Sequence, residues 1–221
     1  MSVDNTLIFI DGENLVLRYQ EMIKEGKVPR PDNIHIRDCF IWNQKILDDH
    51  IWKLKRLAYY TSVIGDDLKV QAIREKISST TFKCVTGRTP GQTETFSGQI
   101  VPFVRKKASR SKKESICDIA ITVGVMRACY RDHAETIWLF SGDGDFIELL
   151  SEVVHSGKRA YVSAFSSGLN QEIPYIVDEF IPLDKYFFLS DQELAENAAQ
   201  QQLALAAAAI QNNQEAPVQQ N

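Results

Sequence analysis

Three aspartates in this chain stand where an apolar segment ends or begins. Asp11 follows Thr6-Leu7-Ile8-Phe9-Ile10. Asp118 lies at the start of an apolar run that opens at Ile116. Asp143 follows Thr136-Ile137-Trp138-Leu139-Phe140, inside Ser141-Gly142-Asp143-Gly144-Asp145-Phe146, where Asp145 adds a fourth acid. No histidine or thiol accompanies them at ligand spacing. Carboxylates alone form a hard oxygen donor set suited to Mg2+ or Mn2+. Gathered carboxylates repel one another unless a cation neutralises them. Such a site beside basic residues points to phosphodiester chemistry, in which metal ions activate a water, hold the scissile phosphate and stabilise the leaving oxygen.

Each acid also has an ordinary reading. Asp11 can be a turn residue or helix cap. Asp118 can be a first-turn acid favoured by the helix dipole. Asp145 can cap the helix that follows, with Glu148 three residues on, whereas Asp143 sits two residues too early for that cap. Asp66 and Asp67 precede another helical run and read as capping residues, with a ligand role as the alternative.

A second chemical feature is Arg105, Lys106, Lys107, Arg110, Lys112 and Lys113, six basic residues within nine positions and no acid among them. The whole chain has a net charge of −4, so this local run is a departure from its surroundings. It reads as a basic loop that contacts the phosphates of a nucleic acid, against the alternative of a solvated loop.

These residues need a scaffold. The 221 residues, 44% hydrophobic and 24% charged, suit a globular chain able to bury a core. Apolar runs at 6–10, 55–61, 82–86, 136–140, 160–165 and 179–183 read as strands alternating with helices. That pattern predicts a three-layer α/β/α domain with a mostly parallel central sheet over residues 1–189. Strands of such a sheet that end in acids share one edge, so Asp11 and Asp143 converge there. Ile116 to Tyr130 is apolar nearly all round and is expected to be buried on most sides. Residues 33–50 suit an amphipathic, broken helix, and Phe96 to Val104 a short strand pairing back as a hairpin. Trp42 and Trp52 are expected to pack. Residues 190–221 form an appendage: an Ala/Gln-rich helix over 192–210, which offers a route to a homo-oligomer, then a disordered Gln/Asn-rich end. The four scattered cysteines form no CxxC and read as free, buried thiols in a reducing compartment. No secretory leader pattern and no apolar run near the roughly 20 residues of a membrane helix is present, so the expected location is cytoplasmic.

Phe9-Ile10-Asp11-Gly12-Glu13-Asn14-Leu15, then Lys113-Glu114-Ser115-Ile116-Cys117-Asp118, then Leu139-Phe140-Ser141-Gly142-Asp143-Gly144-Asp145-Phe146 resemble the three motifs of the NYN domain family of PIN-like nucleases, most closely its LabA-like branch. The resemblance spans Thr6 to Phe188. It implies a PIN-like fold and metal-dependent cleavage of RNA. It implies Asp11, Asp118 and Asp143 as metal ligands and Asp145 as a fourth ligand or supporting acid. It implies Asn14 as a residue positioning water or substrate, and Ser141 as a hydroxyl that bonds a ligand carboxylate. The second motif of the family commonly carries another acid about two turns after the first; Gly124 stands there in this chain. Two other readings are open. One is a non-catalytic RNA-binding or regulatory module on the same fold. The other is a haloacid-dehalogenase-like phosphatase, which requires an Asp two residues after Asp11, where this chain has Glu13, and leaves Asp118 without a role.

Overall fold

The computed structural model describes residues 4–48, 53–89, 92–107, 116–200 and 202. The chain opens with β1 (Asn5–Asp11) and α1 (Gly12–Lys24), then β2 (Ile34–Ile36), β3 (Phe40–Trp42) and α2 (Lys45–Asp48). β4 (Lys53–Ile64), α3 (Asp67–Ser79), β5 (Thr81–Thr89), β6 (Gln92–Gln99) and β7 (Val101–Lys107) follow. α4 (Ile116–Tyr130), β8 (Thr136–Phe140), α5 (Ile147–His155), β9 (Arg159–Ala164), α6 (Ile173–Ile176), β10 (Glu179–Pro182) and α7 (Asp184–Phe187) complete the domain. Residues 191–200 are helical beyond it.

Six of these strands form one parallel sheet in the order β10-β9-β8-β1-β4-β7. Strand sides alternate, so β1 sends Ile8 and Ile10 to one face and Leu7 and Phe9 to the other. The first face packs against Leu15, Val16, Tyr19 and Met22 of α1 and Val70, Ile73 and Ile77 of α3. The second packs against Cys117, Ile121 and Val125 of α4 and Leu149, Leu150 and Val153 of α5. The sheet is thus covered on both sides, as runs of apolar residues with no polar alternation require. Strand order reverses between β1 and β8, which lie side by side. At such a switch point the two chain segments leave toward opposite faces, and a crevice opens at the carboxyl ends of the two strands.

Several local expectations change. Residues 33–50 are mostly a small antiparallel hairpin, Ile34 to Ile36 paired with Phe40 to Trp42, followed by one helical turn. Three consecutive buried residues, Phe40, Ile41 and Trp42, fit a covered strand better than one helix stripe. Phe96 to Val104 is two strands rather than one: β6 pairs antiparallel with β5, and the chain turns at Ile100 into β7 at the sheet edge. Arg105, Lys106 and Lys107 therefore belong to a strand, not a loop, in register with Ser62, Val63 and Ile64. Arg110, Lys112 and Lys113, Trp52 and the stretch 203–221 lie outside the described residues. The four cysteines are free and buried. Asp66 caps α3 by accepting a bond from the Lys69 N–H at 2.8 Å. No described helix is long and apolar enough to cross a membrane.

Candidate active site

Asp11 is the last residue of β1 and the N-cap of α1. Both carboxylate oxygens are engaged. Oδ1 accepts from the Asn14 N–H at 3.1 Å, and Oδ2 accepts from the Ser141 hydroxyl at 2.9 Å. Ser141 directly follows β8, the neighbouring strand, so the two strand ends are joined by a side-chain bond across the switch point. Ser141 Oγ also accepts from the Asp143 N–H at 3.2 Å, and Asn14 Oδ1 accepts from the Gly142 N–H at 3.3 Å. The start of α1 and the acidic turn therefore form one hydrogen-bonded unit. Ser141 thus holds the Asp11 carboxylate through its hydroxyl. Asn14 ties the two segments together.

Asp11 is 2% exposed. Burial pushes its pKa from 3.8 up to about 7, against the two hydrogen bonds, and Asp118 and Glu13 nearby add to the rise. A carboxylate so placed gains from any cation that comes near it.

The acidic turn differs from expectation in one respect. Asp143, not Asp145, is the cap: its Oδ1 accepts from the Asp145 N–H at 3.0 Å and opens a 3-10 turn, Gly144–Phe146. α5 then starts from Phe146 with no side-chain cap. The one inserted turn is what moves the capping position two residues back. Gly142 and Gly144 serve close approach rather than a left-handed turn, for neither has a positive φ. A Cβ on Gly142 would lie 3.2 Å from the Leu169 Cα, and one on Gly144 2.4 Å from the Asn170 amide. The segment after β9 thus backs the acidic turn.

A cleft of about 530 Å³ lies over these groups. Asp11, Asp118 and Asp143 all line it, with Glu13 and Asn14. Asp145 lines a smaller groove on the far side of Asp118. Among the described residues, no set of three or more His, Cys, Asp or Glu side chains is gathered closely enough to hold a metal ion. Lys107 reaches the cleft and pairs with Glu13 at 3.0 Å. Lys106 instead pairs with Asp67 at 2.7 Å, and Arg105 is exposed. Arg18, Lys24, Arg37 and Lys69 also line the cleft, and sequence reasoning missed them. The helical spacing from Asn14 to Arg18 was a legible signal. Arg37 and Lys69 come from β2–β3 and α3 and meet the cleft only through the strand order.

Gly124 explains the departure in the second motif. A Cβ there would lie 2.9 Å from the Tyr60 hydroxyl and 3.0 Å from the Phe9 ring. The position faces the sheet, so it has no room for a further acid.

The architecture is a doubly wound α/β domain with acids at its switch point. The family model described as "NYN domain" matches residues 5–184, and the chain belongs to the NYN domain family, whose members are generally nucleases with a PIN-like fold. A crystal structure of a protein of unknown function from Vibrio parahaemolyticus is similar, with a TM-score of 0.49 and 14% identity, over 85% of this chain and 97% of that one. A search of curated proteins finds no match.

Proposed function

We propose that this chain is a metal-dependent ribonuclease of the LabA-like branch, acting in the cytoplasm, with residues 1–189 as the nuclease domain. The observation that carries this reading is Asp11, buried at the switch point on a cleft that Asp118 and Asp143 also line. The donor set fits Mg2+ or Mn2+. Mg2+ is held through one or two carboxylates together with waters and substrate phosphate, and needs no all-protein cage. The raised pKa of Asp11 supports the same view, since a cation would offset the burial and the repulsion from Asp118 and Glu13. The proposed ligands are Asp11, Asp118 and Asp143, with Asp145 a fourth or a holder of bound water.

When bound, the ion supplies an activated water and neutralises charge on the phosphate. The chain's own residues do the rest. The Asn14 N–H and the Ser141 hydroxyl fix the Asp11 carboxylate in one orientation and favour its charged form. Lys107, already desolvated beside Glu13, places a cation on the phosphate side of the cleft. Arg105, Lys106, Arg110, Lys112 and Lys113 complete the proposed basic guide for the RNA. The helix after residue 190 is the proposed element of self-association.

The absence of a gathered ligand cluster among the described residues favours a second reading, a non-catalytic RNA-binding module. Purified protein with single-stranded RNA and Mn2+ separates the two. Cleavage by wild type and its loss in Asp143→Asn is the expected result. Undiminished cleavage by Asp143→Asn would sink the site assignment. Salt-sensitive RNA binding with no cleavage in Mg2+ or Mn2+ would leave the second reading.

A further inference from the structure

α4 carries two apolar stripes. One, Cys117, Ile121, Val125 and Ala128, faces the core. The other, Ile116, Ile119 and Val123, is 47%, 63% and 47% exposed, contrary to a helix buried on most sides. Its spacing of three and four residues makes it one continuous strip. A helix in a layered domain needs only its core stripe for folding, so the second is unexplained by the fold.

The strip has a definite neighbour. A groove of about 240 Å³ beside it is lined by Asp118, Ile119, Thr122, Val123, Asp145 and Phe146. Asp118 lines the main cleft as well. A ligand lying over the acids and continuing past Asp118 therefore runs onto the strip. On the cleft side it meets Arg18, Lys24, Arg37 and Lys69. The proposed acids thus have cations on one side and an apolar surface on the other. A polynucleotide strand has this same double character: anionic phosphates along one edge and flat apolar rings along the other.

We propose that Ile116, Ile119 and Val123 form a nucleobase platform, holding a base next to the phosphate at the acids while the backbone crosses toward Lys24, Arg37 and Lys69. The proposal rests on the ribonuclease reading for its choice of RNA. Thr122, which lines the same groove, offers a hydroxyl to a base edge. A second copy of the chain would cover the strip but would gain nothing from the cations. A base lies flat on the strip only when it is unpaired, so the strand held there is single.

The test is equilibrium binding in chelator, with no cleavage, to three probes: a labelled single-stranded RNA, its duplex and inorganic polyphosphate. Ile119→Ser with Val123→Ser is compared with Lys24→Ser with Arg37→Ser, each pair checked for an unchanged thermal midpoint. The first pair is expected to weaken single-stranded RNA roughly tenfold, the scale of uncovering about 55 Å² of apolar contact, and to leave polyphosphate unchanged. The second is expected to weaken both and to flatten the salt dependence by about 0.7 in slope for each phosphate no longer neutralised. Equal loss of RNA and polyphosphate in the first pair, no loss of RNA, or duplex bound as tightly as single strand overturns the platform. So does a wild-type dimer that the first pair dissociates. Binding without Mn2+-dependent cleavage removes the ribonuclease reading alone. Cleavage with RNA binding unaffected by the first pair removes the platform alone.

Discussion

Replacing Asp11 by Asn tests whether this carboxylate is held at a cost to the fold. Its pKa rises from 3.8 to about 7 through burial, with Asp118 and Glu13 adding to it. The folded protein thus keeps a proton at Asp11 to a higher pH than the unfolded chain does. Between 3.8 and about 7 the folded state binds more protons, so stability falls as pH rises through that window. At about 1.4 kcal/mol per pH unit the loss is roughly 4 kcal/mol in metal-free protein above the window, and nil below it. Asn keeps the Oδ1 acceptor for the Asn14 N–H. Its amide nitrogen turns toward Ser141, which must become an acceptor, at about 1 kcal/mol. Urea unfolding with chelator is the assay. Asp11→Asn should be about 1 kcal/mol less stable than wild type near pH 3.5 and roughly 3 kcal/mol more stable near pH 8.5. Mn2+ should raise the wild-type midpoint and leave Asp11→Asn unmoved. An equal difference between the two proteins at both pH values would refute the reasoning.

Three further outcomes are expected. Gly124→Ala brings a methyl to 2.9 Å from the Tyr60 hydroxyl and should lower stability by about 1–3 kcal/mol, read as a drop in thermal midpoint. Ser141→Ala removes the buried hydroxyl that donates to Asp11 and accepts from the Asp143 N–H; it should cost about 1–3 kcal/mol and move the acid limb of cleavage to higher pH. Glu193 is held down to about 2, from 4.5, by the Arg30 guanidinium at 2.8 Å and by Ser190. That depressed value stabilises the docked form above pH 4.5, and the contribution is lost as pH falls toward 2. Amide signals of 191–200 should report undocking across that window in wild type and not in Arg30→Ala.

Much of the scaffold was legible because buried parallel strands announce themselves. Thr6 to Ile10 and Thr136 to Phe140 are unbroken apolar runs that end in acid, and they become adjacent strands at the switch point. The limits of α4 follow from its apolar run, but which of its sides meets the core does not, since apolar residues all round carry no directional signal. Residues 34–36 and 40–42 imitate a helix because two three-residue strands are too short to show a period of two against a period near 3.6. The split at Ile100 depends on which partner each half finds, β5 or β4, and pairing at that distance leaves no local trace. The hydrogen bonds of Ser141 were legible as a role. The cap at Asp143 was not, because one 3-10 turn shifts the cap without changing composition.

The double use of Asp11 bears on how such sequences drift over generations. An aspartate that caps a helix could be replaced by asparagine with the cap intact. Here the replacement also removes a buried charge. A lineage that gave up the chemistry would therefore gain stability from the single-base change to asparagine at position 11, with no selection needed to drive it. On the proposed reading, an acid at position 11 serves the cleft at a cost to the fold.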